Sequence, residues 1–75
     1  KPLDVRAIRE SVGMDTWEFS VAIGVSERTL RRWERGERRP RGPALVLLRA
    51  LEKEPEAVLR AMRFQGIADA DSDHS

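Results

Sequence analysis

Gly24-Val25-Ser26-Glu27-Arg28-Thr29-Leu30-Arg31-Arg32-Trp33-Glu34-Arg35-Gly36 reads as a short helix opened by Ser26 and closed by Gly36. A serine hydroxyl satisfies a free amide of a first helical turn, and glycine ends helices because it accepts the left-handed backbone. In that phase Arg28, Arg31, Arg32 and Arg35 stand at i, i+3, i+4 and i+7, which is one face. Leu30 and Trp33 fall on the opposite face. Four arginines on one stripe repel each other, an arrangement that makes sense against an anion. An α-helix fits the major groove of B-DNA, and arginine bridges the O6 and N7 acceptors of guanine with two parallel bonds. The stripe therefore reads as a DNA-recognition helix. A solvated basic face is the alternative, and a common one for a run of charge.

The residues just upstream favour the first reading. Asp15-Thr16-Trp17-Glu18 is a capping-box pattern that opens a helix, with Phe19, Ala22 and Ile23 on its inner face. Gly24 stops that helix at a position where positive φ is expected. Small Ser20 stands where two helices would cross closely, and Val25 is apolar just after the turn. Two helices joined by so short a turn form the helix-turn-helix pattern. On the wheel Trp17 and Val21 lie away from Phe19, Ala22 and Ile23 and are expected to be exposed. Three readings of that patch stay open: packing by residues upstream of the chain, cover for a partner, or contact with deoxyribose.

Outward from this pair the chain reads as all-α, with five helices and no strand. Helix 1 runs from about Asp4 to Val12, with Val5, Ile8 and Val12 inward and Gly13 at its end. A polar loop, Glu37-Arg38-Arg39-Pro40-Arg41-Gly42, leads to Pro43 in the first turn of helix 4. Ala44, Leu47, Leu48 and Leu51 make the buried stripe of helix 4, and Leu45 and Val46 are apolar on its other side. Pro55 starts helix 5, with Val58, Leu59 and Met62 on one face. Residues 1–64 form the expected domain, with its helix-turn-helix at about 16–35. Residues 65–75 turn small and acidic and read as a frayed tail.

Seventy-five residues suffice for one small domain, near the lower limit for a self-sufficient core. There is no cysteine, which excludes disulfides, thiolate zinc sites and thiol nucleophiles. The one histidine, His74, lies in the tail, so the chain offers no credible catalytic triad or metal cluster, and neither enzymatic activity nor a cofactor is expected. Asp69-Ala70-Asp71-Ser72-Asp73 looks like the start of a calcium loop, but His74 stands where glycine is required and the closing Glu is missing. No apolar run approaches the ~20 residues of a membrane span, and no signal-peptide pattern appears; a cytoplasmic protein without membrane contact is the default. The chain starts at Lys1 rather than Met, so further residues upstream are expected.

A formal net charge of +1 hides a strong asymmetry. Residues 1–26 carry a net −1, residues 27–49 carry +5, residues 50–63 balance, and residues 64–75 carry −3. A nucleic acid responds to the local field, and here that field comes almost wholly from arginine.

From about Val5 to Met62 the chain resembles the Xre/Cro-like, lambda-repressor-like helix-turn-helix domains, chiefly in Phe19-Ser20-Val21-Ala22-Ile23-Gly24-Val25-Ser26-Glu27-Arg28-Thr29-Leu30-Arg31-Arg32-Trp33-Glu34. Trp33-Glu34-Arg35-Gly36, then Arg39-Pro40-Arg41-Gly42-Pro43-Ala44 and Glu54-Pro55-Glu56-Ala57-Val58-Leu59, look most like the HigA/MqsA-type antitoxins. The resemblance implies a dimeric repressor of its own operon that pairs with an mRNA-cleaving toxin. It implies base contacts from the first two positions and the sixth of helix 3, here Glu27, Arg28 and Arg32, beside Arg31 on the same stripe. Glu27 has two readings, acceptor from a cytosine amino group or i,i+4 partner of Arg31. Where the family often carries a phosphate-binding Gln this chain has Thr16, which has shorter reach, and Trp17 follows where a polar residue is usual. The resemblance also implies an ion pair between Arg9 and Glu34. Arg35, Arg38, Arg39 and Arg41, together with Thr16 and Trp17, are the phosphate-contact candidates. Leu45, Val46, Leu59, Met62 and Phe64 are the expected homodimer surface. The expected partners are a palindromic double-stranded DNA operator, a second copy and a toxin; the competing readings are a protein-interaction module whose main role is to neutralise a toxin, and a phage or prophage repressor without a toxin.

Overall fold

Asp4 opens α1 (Val5–Ser11), its carboxylate accepting the Ala7 N–H at 3.0 Å. This computed structural model describes residues 3–62 of the chain. Val5 and Ile8 project from one side of α1 into the core and are 2% and 4% exposed. Asp15 starts α2 (Thr16–Ile23) with the full capping box: the Glu18 N–H donates to Asp15 at 2.7 Å, and the Asp15 N–H donates back to the Glu18 carboxylate at 3.0 Å. Ser26 caps α3 (Glu27–Glu34) by accepting the Thr29 N–H at 3.1 Å. α4 (Pro43–Lys53) begins with proline at N1, where the missing N–H is no loss. A fifth helix, α5, covers residues 55–62. Among the described residues there are thus five helices and no strand, and no helix is long and apolar enough to cross a membrane.

The core is a single cluster of Val5, Ile8, Phe19, Leu30, Leu48 and Leu51. Each of the first four helices contributes to it. Val58, Leu59 and Met62 of α5 pack against it from outside, as do Trp33, Ile23 and Val25. α2 packs on α3, and α1 bridges α3 and α4. The expected inner stripe of α4 is realised most fully at Leu48 and Leu51, while Ala44 and Leu47 are half-buried. Small Ser20 on α2 is 3% exposed, and its hydroxyl donates to the Trp17 carbonyl at 2.8 Å. A buried hydroxyl therefore carries no unsatisfied donor there.

The turn that sets α3 against α2 is three residues long. Gly24 adopts φ 78°, ψ 32°, and the Val25 N–H reaches back to the Ser20 carbonyl at 3.0 Å. That is the Schellman closure, which needs a left-handed residue and is favoured by an apolar one after it. Gly36 closes α3 in the same way at φ 78°, with the Glu37 N–H on the Arg32 carbonyl at 2.9 Å.

Candidate nucleic-acid interface

With both ends of α3 fixed, the arginine stripe has a defined direction. Leu30 is fully buried and Trp33 half-buried, so this side of α3 is committed to the core. Arg28, Arg31 and Arg35 are exposed on the outer side, and Arg32 is half-buried beside them. Two of the four are paired. Arg31 donates to the Glu27 carboxylate at 3.1 Å, and Arg35 to Glu37 at 2.7 Å. Among the described residues no carboxylate pairs with Arg28, Arg32, Arg38, Arg39 or Arg41. These five form a field of cations without counter-ions among the described residues, spread over the outer face of α3 and the following loop.

Glu27 has a fuller role than its sequence spacing shows. Its Oε2 accepts the Thr16 hydroxyl at 2.7 Å and the Arg31 guanidinium at 3.1 Å. One carboxylate thus ties the first residue of α2 to the arginine face of α3. The i,i+4 partnership with Arg31 forms in the free protein. Thr16, expected to hold a phosphate with its hydroxyl, gives that one proton to Glu27 instead; a hydroxyl has a single O–H to donate. Trp17 and Val21 stand exposed at 62% and 59%, next to this network on α2.

Behind α3 lies the Arg9–Glu34 pair. Arg9 Nε donates to Glu34 Oε2 at 2.7 Å and Nη2 to Oε1 at 3.3 Å, a forked geometry. Its third nitrogen, Nη1, donates to the Met14 carbonyl at 3.0 Å. The hydrogen bond to Glu34 holds the Arg9 guanidinium above its already high pKa, against the opposing effect of burial. Its charge is therefore permanent. The pair clamps the end of α3 to α1 and to the α1–α2 loop, which sets the angle of α3.

The expected dimer surface divides in two. Val46 is 70% exposed. Leu59 and Met62, in contrast, are half-buried and pack against this chain's own core. Part of their apolar surface is therefore used within this chain. Leu45 is half-buried, and Phe64 lies outside the described residues, as does the whole acidic tail.

A family model described as Helix-turn-helix (HTH_3) matches residues 5–55. The chain belongs to the helix-turn-helix family. The matched residues span α1 to the start of α5 and include the Schellman turn, the arginine face and the Arg9–Glu34 clamp. Among curated proteins, this helix-turn-helix chain is 35% identical over 57 residues to Antitoxin HigA-2 of Vibrio cholerae serotype O1, covering 76% of this chain. It spans only 55% of that relative's length. No solved structure matches at a significant level.

Proposed function

We propose that the helix-turn-helix presents α3 to the major groove and acts as a sequence-specific DNA-binding repressor. The observation that carries this reading is the set of guanidiniums on the outer face of α3 that have no carboxylate partner among the described residues, held by a capped and clamped helix. Arg28 and Arg32 are the base readers, each worth about 1–3 kcal/mol of discrimination if bidentate to guanine. Arg31 joins them after exchanging Glu27 for a base, which makes Glu27 a positioning residue rather than a cytosine reader. Arg38, Arg39 and Arg41 hold phosphates, as does Arg35 once released from Glu37. A dimer binds a palindrome whose half-sites lie about 34–36 Å apart, one helical turn. Val46 is the best remaining apolar residue for the dimer contact. An intracellular site of action follows from that role.

The similarity to Antitoxin HigA-2 favours a second, compatible reading, in which the protein also occupies a toxin and represses the operon that encodes both. Selection of bound duplexes from a random pool at ~150 mM salt, near physiological ionic strength, tests the first reading. An enriched palindrome with G-rich half-sites supports it. Salt-sensitive binding without enrichment overturns sequence-specific reading and leaves the protein-interaction role.

A further inference from the structure

Between the chain entering α1, the loop after α3, and α4 runs a groove of about 590 Å³. That lies within the ~300–1,000 Å³ range of clefts that hold ligands. Its floor is apolar, built by Leu3, Trp33 and Leu45, and its rim carries Arg38, Arg39 and Arg49. Among the described residues none of these three arginines has a carboxylate partner. A trough of this kind suits a peptide segment with a bulky apolar residue followed by several carboxylates.

The chain itself contains one: Phe64-Gln65-Gly66-Ile67-Ala68-Asp69-Ala70-Asp71-Ser72-Asp73. Of the 13 acidic side chains, the three outside the described residues are Asp69, Asp71 and Asp73, matching the three rim arginines in number and opposing them in sign. These aspartates lie seven to eleven residues beyond Met62 and so reach ~23–36 Å at ~3.3 Å per residue. A 60-residue domain is ~27 Å across by the usual scaling of radius with length. The segment is long enough to arrive, and its tether gives an effective concentration in the millimolar range.

We infer that residues 64–73 dock in this groove, Ile67 on the apolar floor and the aspartates against Arg38, Arg39 and Arg49, and that docking withholds two phosphate-binding arginines from DNA. The effect on DNA rests on the DNA-binding reading above; the docking does not. A tail docked two-thirds of the time lowers apparent DNA affinity about threefold, because only the undocked fraction is competent.

The decisive variant in the full chain is Ile67→Ser, which removes the apolar anchor and leaves every charge in place. Anisotropy of a labelled random-sequence duplex at low salt reads affinity, and nuclear Overhauser contacts between the Ile67 side chain and the Trp33 ring or Leu45 methyls read docking. The expected result is contacts in the parent chain, their loss in Ile67→Ser, and about threefold tighter duplex binding by the variant. Asp69→Asn/Asp71→Asn/Asp73→Asn must also lose the Ile67 contacts. Absence of Ile67 contacts in the parent chain overturns docking, whether or not the chain binds DNA. Contacts present with an affinity unchanged by Ile67→Ser overturn the competition. A parent chain and variant that both fail to bind any duplex indict the DNA-binding reading instead, and the contacts still decide the docking.

Discussion

Glu34→Ala is expected to be the most destabilising single change on the polar side of this domain. Glu34 and Arg9 are 11% and 14% exposed at their side chains and share two hydrogen bonds of 2.7 and 3.3 Å. Removing one partner of a fully buried pair costs about 3–5 kcal/mol, because it strands a charge. An exposed pair is worth about 0.2–1 kcal/mol. This pair lies nearer the buried limit, but Arg9 keeps its bond to the Met14 carbonyl, so about 2–3 kcal/mol is expected. A domain of this size shifts its Tm by about 4–8 °C per kcal/mol, so the midpoint should fall by about 8–24 °C. Urea unfolding followed by far-ultraviolet circular dichroism measures the loss. Glu10→Ala supplies an internal control, since Arg6–Glu10 has a similar 3.2 Å contact with side chains 67% and 58% exposed. That control should stay within about 0.5 kcal/mol of the parent. A Glu34→Ala loss no larger than the control's would refute the clamp. The double change Arg9→Met/Glu34→Leu should recover most of the loss, since apolar replacement of both partners removes the stranded charge.

Other substitutions separate reading from holding. Arg28→Ala should weaken the selected site by about 1–3 kcal/mol and relax preference at one base pair, whereas Arg39→Ala should weaken all duplexes alike and lower the salt slope by about one; equal loss on random and selected DNA for Arg28→Ala would remove its base-reading role. Asp15→Ala should cost about 1 kcal/mol through loss of the capping box, read by urea unfolding; an unchanged midpoint would mean that α2 is held by packing alone. Val46→Glu should give monomers by sedimentation with its unfolding midpoint preserved, while Leu59→Asp should unfold the domain because that side chain packs inward. A Val46→Glu variant that remains dimeric would take this face of α4 out of the interface.

Local signals carried most of the fold into the sequence. Capping residues Asp4, Asp15 and Ser26, the Gly24 turn and Pro43 at N1 all act within a few residues of their own position, and each is where the pattern placed it. The outward stripe on α3 was legible because helical spacing alone fixes it. What spacing did not disclose is how polar groups far apart in the chain choose among partners. Thr16 and Glu27 are eleven residues apart, and nothing in either residue type says that the hydroxyl would serve the carboxylate rather than a phosphate. The side of α5 was ambiguous for a related reason: an apolar stripe on an outer helix serves its own core or a partner equally well, and here Leu59 and Met62 pack at least in part on their own core. The groove beside Arg49 arises from three separate elements, so no single stretch of sequence contained it.

The sharing of Glu27 Oε2 between Thr16 and Arg31 bears on how operators would drift. If Arg31 reads a base, it must leave a carboxylate to do so, and the net gain is only the difference between two good acceptors. A wrong base at that position leaves Arg31 where it already is, on Glu27, rather than stranded. On that reading the penalty for mismatch is shallow there and steep opposite Arg28, which has no carboxylate partner among the described residues. Over evolutionary time, operator copies should vary first at the base pair under Arg31, and related repressors should diverge in specificity through Glu27 before they diverge through any residue that touches DNA.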